Sequence, residues 1–189
     1  MKNGTTQNLR ILGIALSSRG FGFTIFENGT LINWGIKSAK GDKNAESLKR
    51  FEQLVEFYKP NLIAMEDHCA KGSRRSRRIR KLGEQLIKSA RARRIKVGLL
   101  SRHQLMSYFF SDGAGTKHDL ATLLSKRFPE ELECRLPDKR RPWESEAYQT
   151  SIFDAVGVAV GVQFKKTNGS VIDHDPSASP SSQVNESVL

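Results

Sequence analysis

Two acidic residues stand in unusually apolar company. Glu66 closes the segment Asn61-Leu-Ile-Ala-Met-Glu66, and Asp154 lies among Ile152, Phe153, Val156 and Val158. An ionised carboxylate in such surroundings is costly unless it is paired or has a task. A third acid, Glu146, precedes Asp154 by two helical repeats with Thr150 between them; on one helix the three would share a face to within about 40°. Carboxylates gathered from separate elements supply the hard anionic oxygens that divalent cations require. Kept apart, Glu66 and Asp154 would be ordinary solvent-facing or helix-capping acids.

A second constellation is basic. Residues 71 to 102 contain thirteen Lys or Arg and a single acid, Glu84, a local net of +12 in a chain whose total is +11. Arg74, Arg75, Arg77, Arg78, Arg80 and Lys81 are its densest part. A solvated basic helix is the plain explanation, but solvated helices usually interleave acids with bases and this one does not. A phosphate backbone is the natural partner, because each neutralised phosphate releases counterions and adds salt-sensitive affinity.

The elements that would position these groups follow from periodicity. Leu12 to Leu16, Phe21 to Phe26 and Thr30 to Trp34 are short apolar and aromatic segments, the last two joined through Asn28-Gly29. Asn-Gly between such runs signals a hairpin, since both turn positions need positive φ. Leu48, Phe51, Leu54, Val55 and Tyr58 give residues 44 to 58 the spacing of an amphipathic helix ending before Pro60. Leu62 to Met65 reads as a buried strand, 74 to 94 as a basic helix with Ile79, Leu82, Leu86 and Ala90 inward, and 95 to 100 as a fifth strand. Helix then strand, twice, implies parallel pairing. Helices follow from Arg102, one of them from about Lys117 to Arg127, and the last from about Glu144 to Phe164. The expectation is an α/β, RNase H-like mixed sheet of five strands, the first three antiparallel and the remainder parallel, flanked by helices. We expect an N-terminal extension over 1–9, one domain over 10–166 and a disordered tail over 167–189, where Ser, Pro, Asn and Asp dominate.

Three stretches of this chain resemble the signature of the RuvC-type Holliday-junction resolvases. Ile11-Leu-Gly-Ile-Ala-Leu-Ser-Ser-Arg-Gly-Phe-Gly22 is similar to their first-strand motif, Asn61 to Glu66 to the strand that ends in Glu, and Phe153-Asp-Ala-Val-Gly-Val-Ala159 to the acid-bearing final helix. The resemblance implies a metal-dependent endonuclease for branched or structured DNA, active in recombination or repair. It makes Glu66 and Asp154 ligands for magnesium or manganese, two ions about 4 Å apart serving the attacking and leaving oxygens. The family pattern has a further acid one turn before the Asp, where this chain has Ser151; Glu146 is the substitute. Lys117, after the Gly-rich break 111–116, resembles a lysine kept near the scissile phosphate, although Thr116 and Asp119 could equally make it a plain helix-start residue.

The largest departure is Ala15, at the position where the family carries an Asp that touches both metals. A methyl group binds no magnesium, so metal affinity should be weakened and cleavage impaired or absent. Both a lineage that kept the fold for binding and a deliberate Asp-to-Ala replacement fit this sequence. Asp67 should point away from Glu66 on a strand. Ser17 and Ser18 could donate to a phosphate or simply make the turn after the first strand.

The alternative function is a catalytically inactive nucleic-acid-binding protein of the same fold, with DNA the preferred partner and RNA possible. A nucleotide-binding fold of the actin and sugar-kinase type needs two copies of the motif, too many for this length. The resemblance implies a homodimer, matched to the symmetry of a four-way junction. No apolar run reaches the roughly 20 residues of a bilayer span and no signal-peptide stretch opens the chain, so a cytoplasmic protein without a membrane partner is expected. Cys69 and Cys134 read as reduced thiols, and His68, His103, His118 and His174 lack zinc spacing. Asp173-His-Asp175 falls in the expected tail and reads as solvated.

Overall fold

The structure, a computed structural model, describes residues 8–167 except 112, 140, 142, 145 and 146. Strands β1 (Arg10–Ser17), β2 (Gly20–Glu27) and β3 (Thr30–Ser38) open the fold, and helix α1 (Lys43–Tyr58) leads to β4 (Leu62–Glu66). Helix α2 (Arg77–Ala92) crosses to β5 (Lys96–Leu100), followed by α3 (Arg102–Phe109), α4 (Lys117–Arg127), the short α5 (Pro129–Leu132) and α6 (Thr150–Thr167). The sheet order is β3-β2-β1-β4-β5. β2 pairs antiparallel with β1 and β3, while β4 runs parallel to β1 and β5, the mixed RNase H-like sheet that the pattern implied. Asn28 and Gly29 make the β2–β3 turn at φ of 50° and 88°, the left-handed values a two-residue hairpin needs.

Both faces of this sheet are covered, which is why its central strands read as nearly continuous apolar runs. Leu12, Ile14 and Leu16 of β1 and Ile63 and Met65 of β4 pack with Phe51, Leu54 and Val55 of α1 and Leu82, Leu86 and Ala90 of α2. Ile11 of β1, Leu62 and Ala64 of β4 and Leu100 of β5 face the other way, toward α3, α4 and α6. Helix α6 is buried on all sides from Ser151 to Val162. Its track across the sheet is marked by glycines. A Cβ on Gly22 would come within 2.2 Å of the Ser151 carbonyl oxygen, one on Gly13 within 2.5 Å of that of Ala155, and one on Gly98 within 2.5 Å of Val162 Cγ1. The helix thus passes from β2 over β1 to β5, with its N-terminal turn above the Gly22 to Ala15 pair.

Two element boundaries differ from expectation. Helix α2 starts at Arg77 rather than Arg74, because the Ser76 hydroxyl accepts from the Ile79 amide and fixes the N-cap there. Helix α6 starts at Thr150 rather than near Glu144; residues 147–149 form a turn. After α4 come α5 and a 3-10 turn, Glu133–Arg135. Residues 1–7 of the expected extension, and 168–189 of the expected tail with Asp173, His174 and Asp175, lie outside the described residues. Among those described, no helix is long and apolar enough to cross a membrane. Cys69 and Cys134 are both free and exposed.

In the turn after β4, His68 is only 4% exposed and packs on Gly83 of α2. Neither ring nitrogen has a hydrogen-bond partner among the described residues. Burial holds the imidazole below its usual pKa, outweighing the opposite pull of Glu66. Because the folded value lies below the unfolded one, His68 contributes stability above about pH 6.5 that is lost as the pH falls through that value. The His68→Leu variant should therefore lose less unfolding free energy than the parent between about pH 7.5 and 5, as measured by urea titration. The track of α6 gives a second expectation. Gly22→Ala forces backbone atoms apart and should cost about 1–3 kcal/mol in the same assay; parental stability would mean that α6 does not lie there.

Candidate active site

The parallel register of β1 and β4 brings the sequence motifs together. Their last paired residues are Ile14 and Met65, so Ala15 and Glu66 follow level with one another at the carboxyl end of the sheet. Alternation turns both toward the α6 face, with Ile11 and Gly13 on one strand and Leu62 and Ala64 on the other. Glu66 pairs across to Leu100, and Arg102 opens α3 two residues later. Asp154 arrives from above, carried by the stretch of α6 between Ser151 and Ala155. Ala15 and Asp154 are 8% and 6% exposed.

Each carboxylate is held by cations of the chain itself. Asp154 Oδ1 accepts from the Arg102 guanidinium at 3.0 Å, and Asp154 Oδ2 lies 3.0 Å from Lys117 Nζ. Glu66 Oε2 accepts from Arg75 at 3.3 Å, and Glu66 Oε1 is 3.9 Å from His68 Nδ1. A buried carboxylate costs several kcal/mol to desolvate, so such pairing is what allows Asp154 to sit inside an apolar helix packing. Lys117 is set at the start of α4 by a capping box: Thr116 Oγ1 accepts from the Asp119 amide and Asp119 accepts from the Thr116 amide. The Thr116 hydroxyl also donates to Asp119 Oδ2 at 2.7 Å, and this bond first, with the Thr116 amide second, lowers the Asp119 pKa. Lys117 thus opens a capped helix and also contacts Asp154.

A two-magnesium centre does not fit these residues. Ala15 offers a methyl and no oxygen, and the oxygens of Glu66 and Asp154 are engaged by Arg75, Arg102 and Lys117. No group of three or more His, Cys, Asp or Glu among the described residues could hold a metal ion. Glu146 lies outside the described residues. The helical spacing that aligned it with Asp154 required helix through 147–149, which are a turn because α6 begins only at Thr150.

The basic cluster divides into two groups. Arg78 donates to Asn44 Oδ1 and to the carbonyls of Ser17 and Ser18, tying α2 to α1 and to the β1–β2 turn. Arg80 donates to the carbonyls of Arg75 and Ser73, bracing the loop that delivers Arg75. Arg74, Arg77 and Lys81 are exposed, and no ion pair involves them among the described residues. Ser17 serves the turn, its hydroxyl bonding to the Gly20 carbonyl. Asp67 also makes a turn, accepting from the Cys69 amide while its own amide donates to Leu100. A cleft of about 470 Å³ opens beside the site, lined by Thr116, Lys117, His118, Lys139 and Thr150.

Sequence spacing does not single out Arg102 or His68 as site residues. Arg102 is visible there only as the last cation of the basic stretch; its salt bridge to Asp154 spans 52 positions and arises from the packing of α3 and α6. The pairing of Glu66 with Arg75 was within reach, nine positions apart across one loop.

No protein-family model matches the sequence, and no curated protein does. Solved structures do. RuvC of Thermus thermophilus superposes with a TM-score of 0.60 at 13% identity, covering 85% of this chain and 97% of that one. The same bacterium's RuvC in complex with Holliday junction substrate gives 0.58 at 14% identity, covering 85% and 96%. The yeast mitochondrial Holliday junction resolvase Ydc2 gives 0.58 at 19% identity, covering 86% and 82%. The chain has the RNase H-like fold of the RuvC-type Holliday-junction resolvases.

Proposed function

We propose that this chain is a resolvase-like protein for branched or structured DNA, of metal-dependent endonuclease ancestry, in which Ala15 has impaired or abolished strand cleavage. The observation that carries this reading is the convergence of Ala15, Glu66 and Asp154 at one sheet end, within the fold of Holliday-junction resolvases. Glu66 and Asp154, with Glu146 as a third candidate, are the acids through which magnesium or manganese would act once the missing carboxylate is supplied. Lys117 is the candidate for steadying charge at the phosphate. Arg74, Arg77 and Lys81 lead the phosphate contacts, and a symmetric dimer is the form that suits a four-way junction.

A second reading, binding without any cutting, is favoured by the occupation of both carboxylates by Arg75, Arg102 and Lys117. One substitution separates the two. Ala15→Asp sets a third carboxylate level with Glu66 and should produce magnesium-dependent cleavage of a labelled four-way junction at least about 100-fold above the parent, since a metal site supplies several kcal/mol of transition-state stabilisation. If that variant cuts no junction, flap, single-stranded DNA or RNA, the nuclease ancestry is wrong and the binding reading stands.

The basic cluster is tested separately. Joint replacement of Arg74, Arg77 and Lys81 by Gln should weaken junction binding and lower the slope of log affinity against log salt by about one for each phosphate no longer neutralised. An unchanged slope would mean that DNA lies elsewhere. These three exposed residues suit the test better than Arg75, Arg78 and Arg80, whose side chains brace the fold.

A further inference from the structure

The loop before α6 holds an indole in solvent. Trp143 is 77% exposed, and Arg141 places its guanidinium 5.9 Å from the ring centroid. A lone exposed apolar side chain is ordinary on a protein surface and says little by itself. This one is built into place. The Glu144 amide donates to the Arg141 carbonyl at 3.1 Å, and Glu144 Oε2 accepts from the Arg141 amide at 3.0 Å, closing a turn that contains the tryptophan. Beyond it, the Tyr148 hydroxyl bonds to that of Ser38 at 2.8 Å, which ties the loop to the end of β3. Both stems of the loop line the cleft of about 470 Å³, Lys139 from one stem and Ala147 and Thr150 from the other. Trp143 stands four residues from Lys139 and four from Ala147, so its backbone lies within about 14 Å of either.

The neighbourhood narrows what can cover this ring. The cleft wall offers hydrogen-bonding groups, Thr116, His118, Asp138 and Lys139, rather than the large apolar side chains that a protein partner would bury. The chain carries a net charge of +11, which favours a polyanion. A nucleobase has two flat faces and a hydrogen-bonding rim. Aromatic rings beside cationic grooves hold single strands whatever their sequence, and an arginine stacked on the ring adds to such a platform.

We infer that Trp143, positioned by Arg141 and its turn, is a stacking platform for one unpaired nucleobase of a nucleic-acid strand passing the cleft. This inference rests on the reading of the chain as a nucleic-acid-binding protein and adds the feature that it selects. Inside a continuous duplex both faces of every base are covered by neighbours, so the indole can engage only a base freed at a branch, a flap or a single strand. Selection then follows the pairing state and not the sequence, because every base has a π face.

The test is equilibrium binding at fixed ionic strength to three probes: oligo-dT, a four-way junction with unpaired thymines at its branch, and relaxed circular duplex. Trp143→Ala should weaken binding to the first two about tenfold while leaving the duplex within about twofold, and the salt slope should stay parental because no phosphate contact is lost. Trp143→Phe should keep most of the affinity. The exposure of the ring predicts an unchanged urea midpoint for both variants. The chain has two tryptophans, and Trp34 is packed against the core, so in a Trp34→Phe background the emission of Trp143 reports stacking directly and should be quenched by oligo-dT. Parental affinity of Trp143→Ala for both unpaired probes, an equal loss on duplex with a lower salt slope, or an unquenched indole would overturn the platform and leave the nucleic-acid-binding reading intact. Absence of binding by the parent to any of the probes would remove both.

Discussion

A buried carboxylate that must find partners organises this end of the molecule. Helix α6 is wrapped by the sheet on one side and by α3 and α4 on the other, and its close passage over β1 and β2 is possible only because Gly13 and Gly22 lack a Cβ. Asp154 rides into that packing and would be prohibitively costly there alone. Arg102 at the first turn of α3 and Lys117 at the first turn of α4 supply the compensating charge, so the placement of both helices is coupled to one acid. The capping box at Thr116 and the second one at Ser101 hold these helix starts in register with it.

From that constraint follows the character of the site. In a fold shared with Holliday-junction resolvases, the carboxyl ends of β1 and β4 bring Ala15 and Glu66 side by side beneath Asp154. Beside the Ala15 methyl, Arg75 pairs with Glu66, and Arg102 and Lys117 pair with Asp154. The loop from β4 to α2 completes the set by turning Arg75 back onto Glu66, braced by Arg80.

Much of the fold was legible in the sequence because its signals are local. The Asn28-Gly29 turn, the apolar spacing of α1, and the helix from Lys117 to Arg127 all depend on neighbours within a few residues. The boundary of α6 was not legible. Its apolar sequence fits a helix that begins earlier, and nothing local in residues 147–149 announces the turn found there. The candidate acid at position 146 depended on that boundary.

The sequence alone determined the inventory: a strand-end Glu66, an Asp154 in apolar surroundings, an Ala15 where the resembling family has an acid, and a concentrated run of cations. These are composition and short-range pattern, set by side-chain periodicities of two and 3.6. Only the tertiary structure decided who neutralises whom. Arg102 and Asp154 are 52 positions apart, and no local spacing links them. Their pairing exists because burying α6 leaves one oxygen facing α3 and the other facing α4, and charge must be balanced wherever water is excluded.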